Sequence, residues 1–172
     1  MATFVLIHGA GHGAWCWRKL IPRLQRAGHR AVAPDLPGHG EDRTPLAELS
    51  LDLYVESVAG LLRRRGEPAI LVGHSLGGLT ITHLAEALPE KVARLVYVTA
   101  FLPADGEAAR DGRHDNTGSL LERDRIWSDA RTAYRFDPDG LAELFYGGCA
   151  PEDIAFARAN LVWEPAAPAA TR

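Results

Sequence analysis

Cysteine, dense clusters of basic residues and long apolar runs are scarce in this sequence, and each shortage excludes a class of protein. Only two cysteines occur in 172 residues, so the chain has no disulfide framework and a reducing compartment is expected. The formal net charge is −3. The one basic run, Arg63-Arg64-Arg65, falls at the end of a predicted helix, where cations complement the helix dipole. Nucleic acid is therefore not an expected partner.

Long apolar segments are also missing from the sequence. No run approaches the roughly 20 residues that a bilayer-spanning helix needs. The chain begins a strand at once with Thr3-Phe4-Val5-Leu6-Ile7, and neither a charged nor an apolar leader segment precedes it. We therefore expect a cytoplasmic protein that does not bind membranes. Hydrophobic residues make up 47% of the chain, enough for one domain with a core.

The segment over residues 69–78 predicts a strand, a sharp turn that carries a serine, and a helix. Four apolar residues lead into Gly73-His74-Ser75-Leu76-Gly77, and a helical pattern follows over residues 78–87. This order matches the G-x-S-x-G nucleophile elbow, which makes Ser75 the candidate catalytic nucleophile. Side chains at Gly73 and Gly77 would clash where the backbone and the helix approach closely. The alternative is a glycine-rich turn with an incidental serine.

Strands and helices alternate through the first hundred residues. Strands are predicted at residues 4–7, 31–33, 69–72 and 95–98, with Ser50 as the N-cap of one intervening helix and Gly28 just past the end of another. This alternation predicts an α/β fold, in which a mostly parallel sheet has helices on both faces. We assign this core to residues 1–103.

The pattern changes after residue 103. Residues 104–162 are predicted to form a helical cap, which includes a helix over residues 120–134 and another that begins at Pro151. Trp127 and Phe145 in this cap are candidates to line a substrate pocket, with plain core packing as the equal alternative. Residues 163–172 are rich in proline and alanine and are predicted to be an extended tail.

A competing motif precedes the elbow. Gly9-x-Gly11-x-x-Ala14 follows a strand and is accompanied by Asp35, as in a dinucleotide-binding fingerprint. That interpretation leaves Ser75 unexplained, so we expect no cofactor. His8 and His12 lie four residues apart on a loop without a third ligand, and we therefore predict no metal site.

Three stretches make the sequence resemble the α/β-hydrolase superfamily: Leu6-Ile7-His8-Gly9, Ala33-Pro34-Asp35-Leu36-Pro37-Gly38-His39-Gly40 and Gly73-His74-Ser75-Leu76-Gly77-Gly78. More narrowly, His8-Gly9-Ala10-Gly11-His12-Gly13-Ala14-Trp15-Cys16-Trp17 is similar to small esterases of the plant methylesterase and hydroxynitrile lyase type, and to bacterial salicylate-ester and pyrethroid-type esterases. The resemblance implies a serine hydrolase that acts on small carboxylic esters.

The same resemblance implies roles for residues around Ser75. The backbone N–H groups of Leu76 and Ala10 match the positions that form an oxyanion hole. Gly9 matches a threonine that contacts substrate in the lyases of this family, so a glycine favours ester hydrolysis over a lyase reaction. His12 is a candidate substrate-binding residue, or alternatively a histidine that bonds the loop backbone.

We predict that the catalytic triad is incomplete in this sequence. In this fold the order along the chain is Ser, then Asp or Glu, then His, and only His83 and His114 follow Ser75. A triad of Asp105 and His114 remains an alternative. The resemblance instead implies that the acid and the histidine follow further strands beyond the cap. We therefore predict that the C-terminal strands are missing, which leaves an open sheet edge for a homo-oligomer or for the missing C-terminal segment. The functional alternatives are a hydroxynitrile-lyase-type lyase and a non-catalytic ligand-binding fragment.

Overall fold

A parallel β-sheet forms the centre of the first hundred residues. The computed structural model describes residues 1–109 and 119–171. Within the first of these ranges, the strands are β1 (Thr3–Ile7), β2 (Arg30–Val32), β3 (Ala69–His74) and β4 (Val92–Val98). Their order is β2-β1-β3-β4, and all neighbouring strands run parallel. Because the order reverses between β1 and β3, ligands are expected above the carboxyl ends of these two strands.

Helices cover both faces of this sheet, as predicted. Alternate residues of the strands point to opposite faces. Val5, Ile7 and Leu71 share a buried cluster with residues of α2 (Leu51–Arg63) and α3 (Gly77–Ala87). On the other face, α1 (Ile21–Arg26) packs in a second cluster. The members of that second cluster from the strands are Phe4, Leu6, Ile70, Val72 and Val96.

The predicted helix caps are confirmed. The Ser50 hydroxyl accepts a hydrogen bond from the Leu53 N–H at 3.1 Å at the start of α2. Gly28 has φ of +82°, and its N–H donates to the Gln25 carbonyl at 3.0 Å just past the end of α1. The N–H of His29 donates to the Leu24 carbonyl at 3.0 Å, which completes a Schellman motif.

The second part of the chain, residues 119–171, differs from the predicted helical cap, because it contains a small antiparallel sheet. Its strands are β5 (Arg125–Trp127), β6 (Ala133–Phe136) and β7 (Glu164–Pro165), in the order β5-β6-β7. The helices of this part are α4 (Leu120–Arg123), α5 (Leu141–Leu144), α6 (Pro151–Asn160) and α7 (Ala167–Ala170). The described helices are short, and none is both long and apolar enough to cross a bilayer.

The predicted helix over residues 120–134 is wrong beyond its first turn. Trp127 and Tyr134 are directly paired across β5 and β6, with ring centroids 5.4 Å apart. Aromatic and β-branched side chains favour strands because they pack well against cross-strand neighbours. This pairing outweighs the helical spacing that the sequence suggested.

The predicted extended tail over residues 163–172 is also wrong. β7 pairs with β6, and α7 follows directly after it. Glu164 is buried, with 1% of its surface exposed. A carboxylate at such a depth must find hydrogen-bond donors, and these donors, described below, hold this segment against the core.

Candidate active site

Ser75 occupies a strained turn between β3 and α3. Its φ is +51°, a conformation that a residue other than glycine adopts rarely. The turn is held from both sides, because the Ser75 N–H donates to the Val98 carbonyl at 3.4 Å and its carbonyl accepts from the Phe101 N–H at 3.0 Å. Strain of this kind persists where the surrounding structure fixes it, and it is frequent at active sites.

Close backbone approach explains the glycines around Ser75. A Cβ at Gly73 would lie 2.8 Å from the Gly77 carbonyl oxygen, and one at Gly77 would lie 2.6 Å from the His8 carbonyl oxygen. Both separations are shorter than real Cβ contacts. The predicted clashes are therefore confirmed, and the glycines allow the β1 loop, the elbow and α3 to meet.

Ser75 opens into a cavity of about 60 Å³. Ala10 and Leu76, the predicted oxyanion donors, line the same cavity. In the described part of the chain, no hydrogen bond engages the N–H of either residue. The remaining lining comes from the β4 loop and from residues of the second part: Phe101, Ser119, Leu121, Glu122, Arg125, Tyr134 and Phe136. The structure thus places Ser75, Ala10 and Leu76 along one cavity that the second part of the chain also lines.

The other predicted site residues lie at different distances from this cavity. A Cβ at Gly9 would lie 2.8 Å from the Ser75 Cβ, so only a glycine leaves the nucleophile unobstructed here. His12 and Trp127 do not line the cavity. Trp127 packs instead against Tyr134 on the adjacent strand. Phe145 also lies outside the lining and packs edge-on against Phe136, with centroids 4.7 Å apart.

His12 makes the contacts of a loop-bonding histidine. Its Nδ1–H donates to the Ala10 carbonyl at 2.8 Å, and its Nε2 accepts from the Tyr146 hydroxyl at 2.8 Å. Burial lowers the pKa of His12 to about 4, so the ring is neutral at pH 7. His12 therefore joins the loop after β1 (residues 8–14, called here the oxyanion loop) to the second part of the chain. This is the alternative role that the sequence left open.

The groups that a dinucleotide would need are engaged within the fold. The Asp35 carboxylate accepts from the N–H groups of Ala14 at 2.6 Å and Glu41 at 3.0 Å. The Gly11 N–H donates to Glu164 at 2.8 Å. Asp35 therefore braces two loops, and the N–H groups of Gly11 and Ala14 in the glycine-rich loop are engaged within the protein.

Histidines of these loops do not form a metal site. His8 donates from Nδ1 to the Gly9 carbonyl at 2.9 Å and accepts at Nε2 from the Leu36 N–H at 3.1 Å. Burial, followed by the neighbouring His39, lowers the pKa of His8 well below its ordinary value. Among residues 1–109 and 119–171, no group of three or more His, Cys, Asp and Glu side chains is placed to hold a metal ion.

Sequence reasoning missed Glu164, which lies directly behind the oxyanion loop. Its Oε2 accepts from the Gly11 N–H at 2.8 Å and from His39 Nε2 at 2.8 Å, and the Tyr54 hydroxyl lies 3.5 Å from Oε1. His39 also donates from Nδ1 to the Pro37 carbonyl at 2.9 Å. No signal in the sequence marks this role, since Glu164 sits in a stretch rich in proline and alanine.

Glu164 and His39 form a buried ion pair. Burial by itself lowers the pKa of His39, but the hydrogen bond to Glu164 and its negative charge more than offset this effect, so the pKa lies above its ordinary value. Both ring nitrogens face acceptors, which is the arrangement of an imidazolium. Burial, followed by the charge of Glu164, also raises the pKa of Tyr54.

Comparison with known proteins identifies the family. A model of the alpha/beta hydrolase family matches residues 4–172. The chain belongs to the alpha/beta hydrolase family. A probable esterase, PIR7A, of Oryza sativa subsp. indica is 36% identical over 172 residues, which cover 90% of this chain and 63% of that relative.

Solved structures agree with this membership. Polyneuridine aldehyde esterase aligns with a TM-score of 0.87 at 26% identity, covering 96% of this chain and 69% of its own. The pyrethroid hydrolase PytH aligns with a TM-score of 0.84 at 31% identity, covering 99% and 70% respectively. This alpha/beta hydrolase chain therefore spans about 63% of the length of the curated relative named above.

The triad of this fold includes a histidine that bonds the nucleophile, and none of the described histidines is bonded to the Ser75 side chain. The chain has seven histidines, and one of them, His114, lies outside the described residues. Asp111, an acidic residue that precedes His114, also lies outside them. No hydrogen bond joins the Ser75 hydroxyl to a histidine in residues 1–109 or 119–171. His83, for example, bonds the Leu79 carbonyl at 3.0 Å within α3. The alternative triad of Asp105 and His114 falls partly outside the described residues.

Proposed function

We propose that this alpha/beta hydrolase is a serine esterase that cleaves small carboxylic esters. The observation that carries the proposal is the cavity that Ser75 lines together with Ala10 and Leu76, whose N–H groups no described residue engages. The esterase names of its relatives support the same reaction class. A cavity of about 60 Å³ favours small substrates over large ones.

The proposed reaction proceeds through an acyl-enzyme. The Ser75 oxygen attacks the ester carbonyl carbon and gives its proton to a general base. The carbonyl oxygen becomes an oxyanion, which the N–H groups of Ala10 and Leu76 stabilise by hydrogen bonds. Collapse of this intermediate expels the alcohol, and water then releases the acid in the reverse sequence of bond changes.

The general base and its acid are proposed to come from chain beyond these 172 residues. The family order places them after the nucleophile, and no described histidine bonds Ser75. Within residues 1–109 and 119–171, β4 pairs with β3 along one side only, and Val98 on β4 is 39% exposed. We propose that this edge receives the C-terminal strands of the fold, with a second copy of the chain as the alternative partner.

Ester hydrolysis is favoured over the lyase reaction at Gly9. Gly9 has no side chain that could contact a cyanohydrin hydroxyl. A Cβ at this position would also lie 2.8 Å from the Ser75 Cβ. Both cysteines are free, which fits the proposed cytoplasmic location. We propose no membrane or nucleic-acid partner.

Labelling with a fluorophosphonate tests the nucleophile. We expect the probe to modify Ser75, and Ser75→Ala to abolish the modification. Ser119 lines the same cavity, so Ser119→Ala is a matched control that should keep labelling. Modification that survives Ser75→Ala contradicts the assignment of the nucleophile, and absence of labelling even when the downstream segment is supplied in cis favours a ligand-binding fragment.

Turnover distinguishes the remaining alternatives. We expect p-nitrophenyl acetate hydrolysis to exceed cyanide release from mandelonitrile, and the opposite ranking indicates a lyase. We also expect the 172-residue chain alone to be slower by orders of magnitude than a hydrolase with a complete triad. Full activity that His114→Ala abolishes would place the triad within this chain.

A further inference from the structure

A buried cation shares the cavity with Ser75. Arg125 is the first residue of β5, and its side chain is only 4% exposed. It lines the cavity together with Ser75, Ala10 and Leu76. The proposed ester chemistry uses a hydroxyl and backbone N–H groups, so it leaves this guanidinium without a role.

The guanidinium is only partly satisfied by the described residues. Its Nη1 donates to Glu122 at 3.0 Å and 3.3 Å, and the Glu122 side chain is 54% exposed. Its Cζ atom lies 4.4 Å from the Tyr134 ring centroid and 5.6 Å from that of Trp127. These contacts fix the orientation of the group and anchor one of its three nitrogens.

The opposite edge of the guanidinium lacks a partner in the described part of the chain. The Arg125 Nε is buried and makes no hydrogen bond there. A buried donor without an acceptor is costly, and more so when it carries charge. Nε–H and the adjacent Nη2 form a fork that matches a carboxylate, which accepts both hydrogen bonds at once.

We infer that Arg125 selects small esters that carry a free carboxylate, which its guanidinium binds while the ester carbonyl lies at Ser75. This inference rests on the proposed esterase function. Half-esters of short dicarboxylic acids have the required chemistry, because one end is an ester and the other a carboxylate. The cavity of about 60 Å³ restricts the class to short acids.

Two ligands of nearly the same size and shape, one anionic and one neutral, test the inference. Monomethyl succinate carries a carboxylate where methyl levulinate carries an acetyl group. Titration calorimetry on the Ser75→Ala chain measures binding without turnover. We expect monomethyl succinate to bind about tenfold or more tightly than methyl levulinate. Equal affinities overturn the inference.

Arginine variants locate the effect. In the Ser75→Ala background, Arg125→Gln should remove the preference for the anion, and Arg125→Lys, which keeps the charge but loses the fork, should restore only part of it. Arg131 also lies over Trp127, at 4.9 Å, but does not line the cavity. Arg131→Gln is therefore the matched control and should keep the preference. Equal loss in both Gln variants indicates a general charge effect and overturns the inference.

The outcomes separate this inference from the proposed function. If the preference for the anion depends on Arg125 but fluorophosphonate does not label Ser75 even when the downstream segment is supplied in cis, the inferred binding site is supported and the proposed esterase function is contradicted. If fluorophosphonate labels Ser75 but the chain shows no preference for the anion, the proposed esterase function is supported and the inference about Arg125 is overturned. If Arg125→Gln fails to fold, judged by circular dichroism, the ligand pair and Arg125→Lys decide alone.

Discussion

Replacing Glu164 by alanine removes the acceptor on which the buried side of the oxyanion loop depends. Glu164→Ala leaves the Gly11 N–H and His39 Nε2 without their partner, and both bonds are 2.8 Å long in the native protein. Neither group can turn to solvent, because His39 and Glu164 are each 1% exposed. The expected result is a large loss of stability together with a displaced oxyanion loop.

The magnitude follows from the two orphaned groups. Each buried polar group without a partner costs about 1–3 kcal/mol, and breaking a buried ion pair costs about 3–5 kcal/mol in measured cases. We therefore expect Glu164→Ala to lower the free energy of unfolding by about 3–5 kcal/mol. For a domain of this size each kcal/mol corresponds to about 2–4 °C in Tm. Glu164→Gln keeps an acceptor for Gly11 and should cost less.

The pH dependence of the effect has a definite sign. The pKa of His39 is raised in the folded protein, so the pair stabilises fully below the unfolded value near 6.5 and progressively less as pH rises through the folded value. In Glu164→Gln the ring loses its counter-charge, and burial then lowers its pKa. The stability difference between wild type and Glu164→Gln should thus be largest in mild acid and shrink above neutral pH.

Urea unfolding followed by circular dichroism measures both quantities. Glu56 is the matched control, because it also pairs with a cation, Arg63, but on the exposed surface of α2. Glu56→Ala should leave stability unchanged. A loss for Glu164→Ala below about 1 kcal/mol, or a wild-type advantage over Glu164→Gln that grows with pH, would refute the reasoning.

Two further predictions concern the glycines. Gly78→Ala should lower the free energy of unfolding by about 1–3 kcal/mol, because the added Cβ overlaps the Phe101 carbonyl oxygen. Gly60→Ala should instead raise the free energy of unfolding by about 0.5–1 kcal/mol, because a Cβ at Gly60 has no neighbour closer than 3.6 Å. Urea unfolding of the two variants checks both signs. Gly9→Ala should slow fluorophosphonate labelling of Ser75, measured as a pseudo-first-order rate, because its Cβ meets the Ser75 Cβ at 2.8 Å; an unchanged rate contradicts the proposed geometry.

The core of the fold was predictable because local signals agree with one another there. Buried strands, the cap at Ser50 and the αL glycine at Gly28 each act over a few residues, and each is present as predicted. The second part was predictable only in its position after the core. There Trp127 is placed by pairing with Tyr134 across a turn, and periodicity within one segment does not report such a partner.

The candidate site shows the same division between local and distant causes. Ser75 follows from a motif, because the elbow needs glycines on both sides and a strand before it. Arg125 and Glu164 carry no motif. Their environments depend on residues from other elements, Tyr134 for the first and Gly11 with His39 for the second.

The position of the oxyanion donor at Ala10 is set from more than 150 residues away. The Gly11 N–H donates to Glu164, and the Gly11 carbonyl accepts from the Val162 N–H at 2.9 Å, so residue 11 is held on both sides by the segment that leads into β7. His12 adds the bond to Tyr146. A loop with φ of +65° at Gly11 has few local constraints of its own. We therefore expect the N–H of Ala10, the proposed oxyanion donor, to take its place near Ser75 only when the second part of the chain is docked, so the segment after α6 is expected to contribute to any turnover at Ser75.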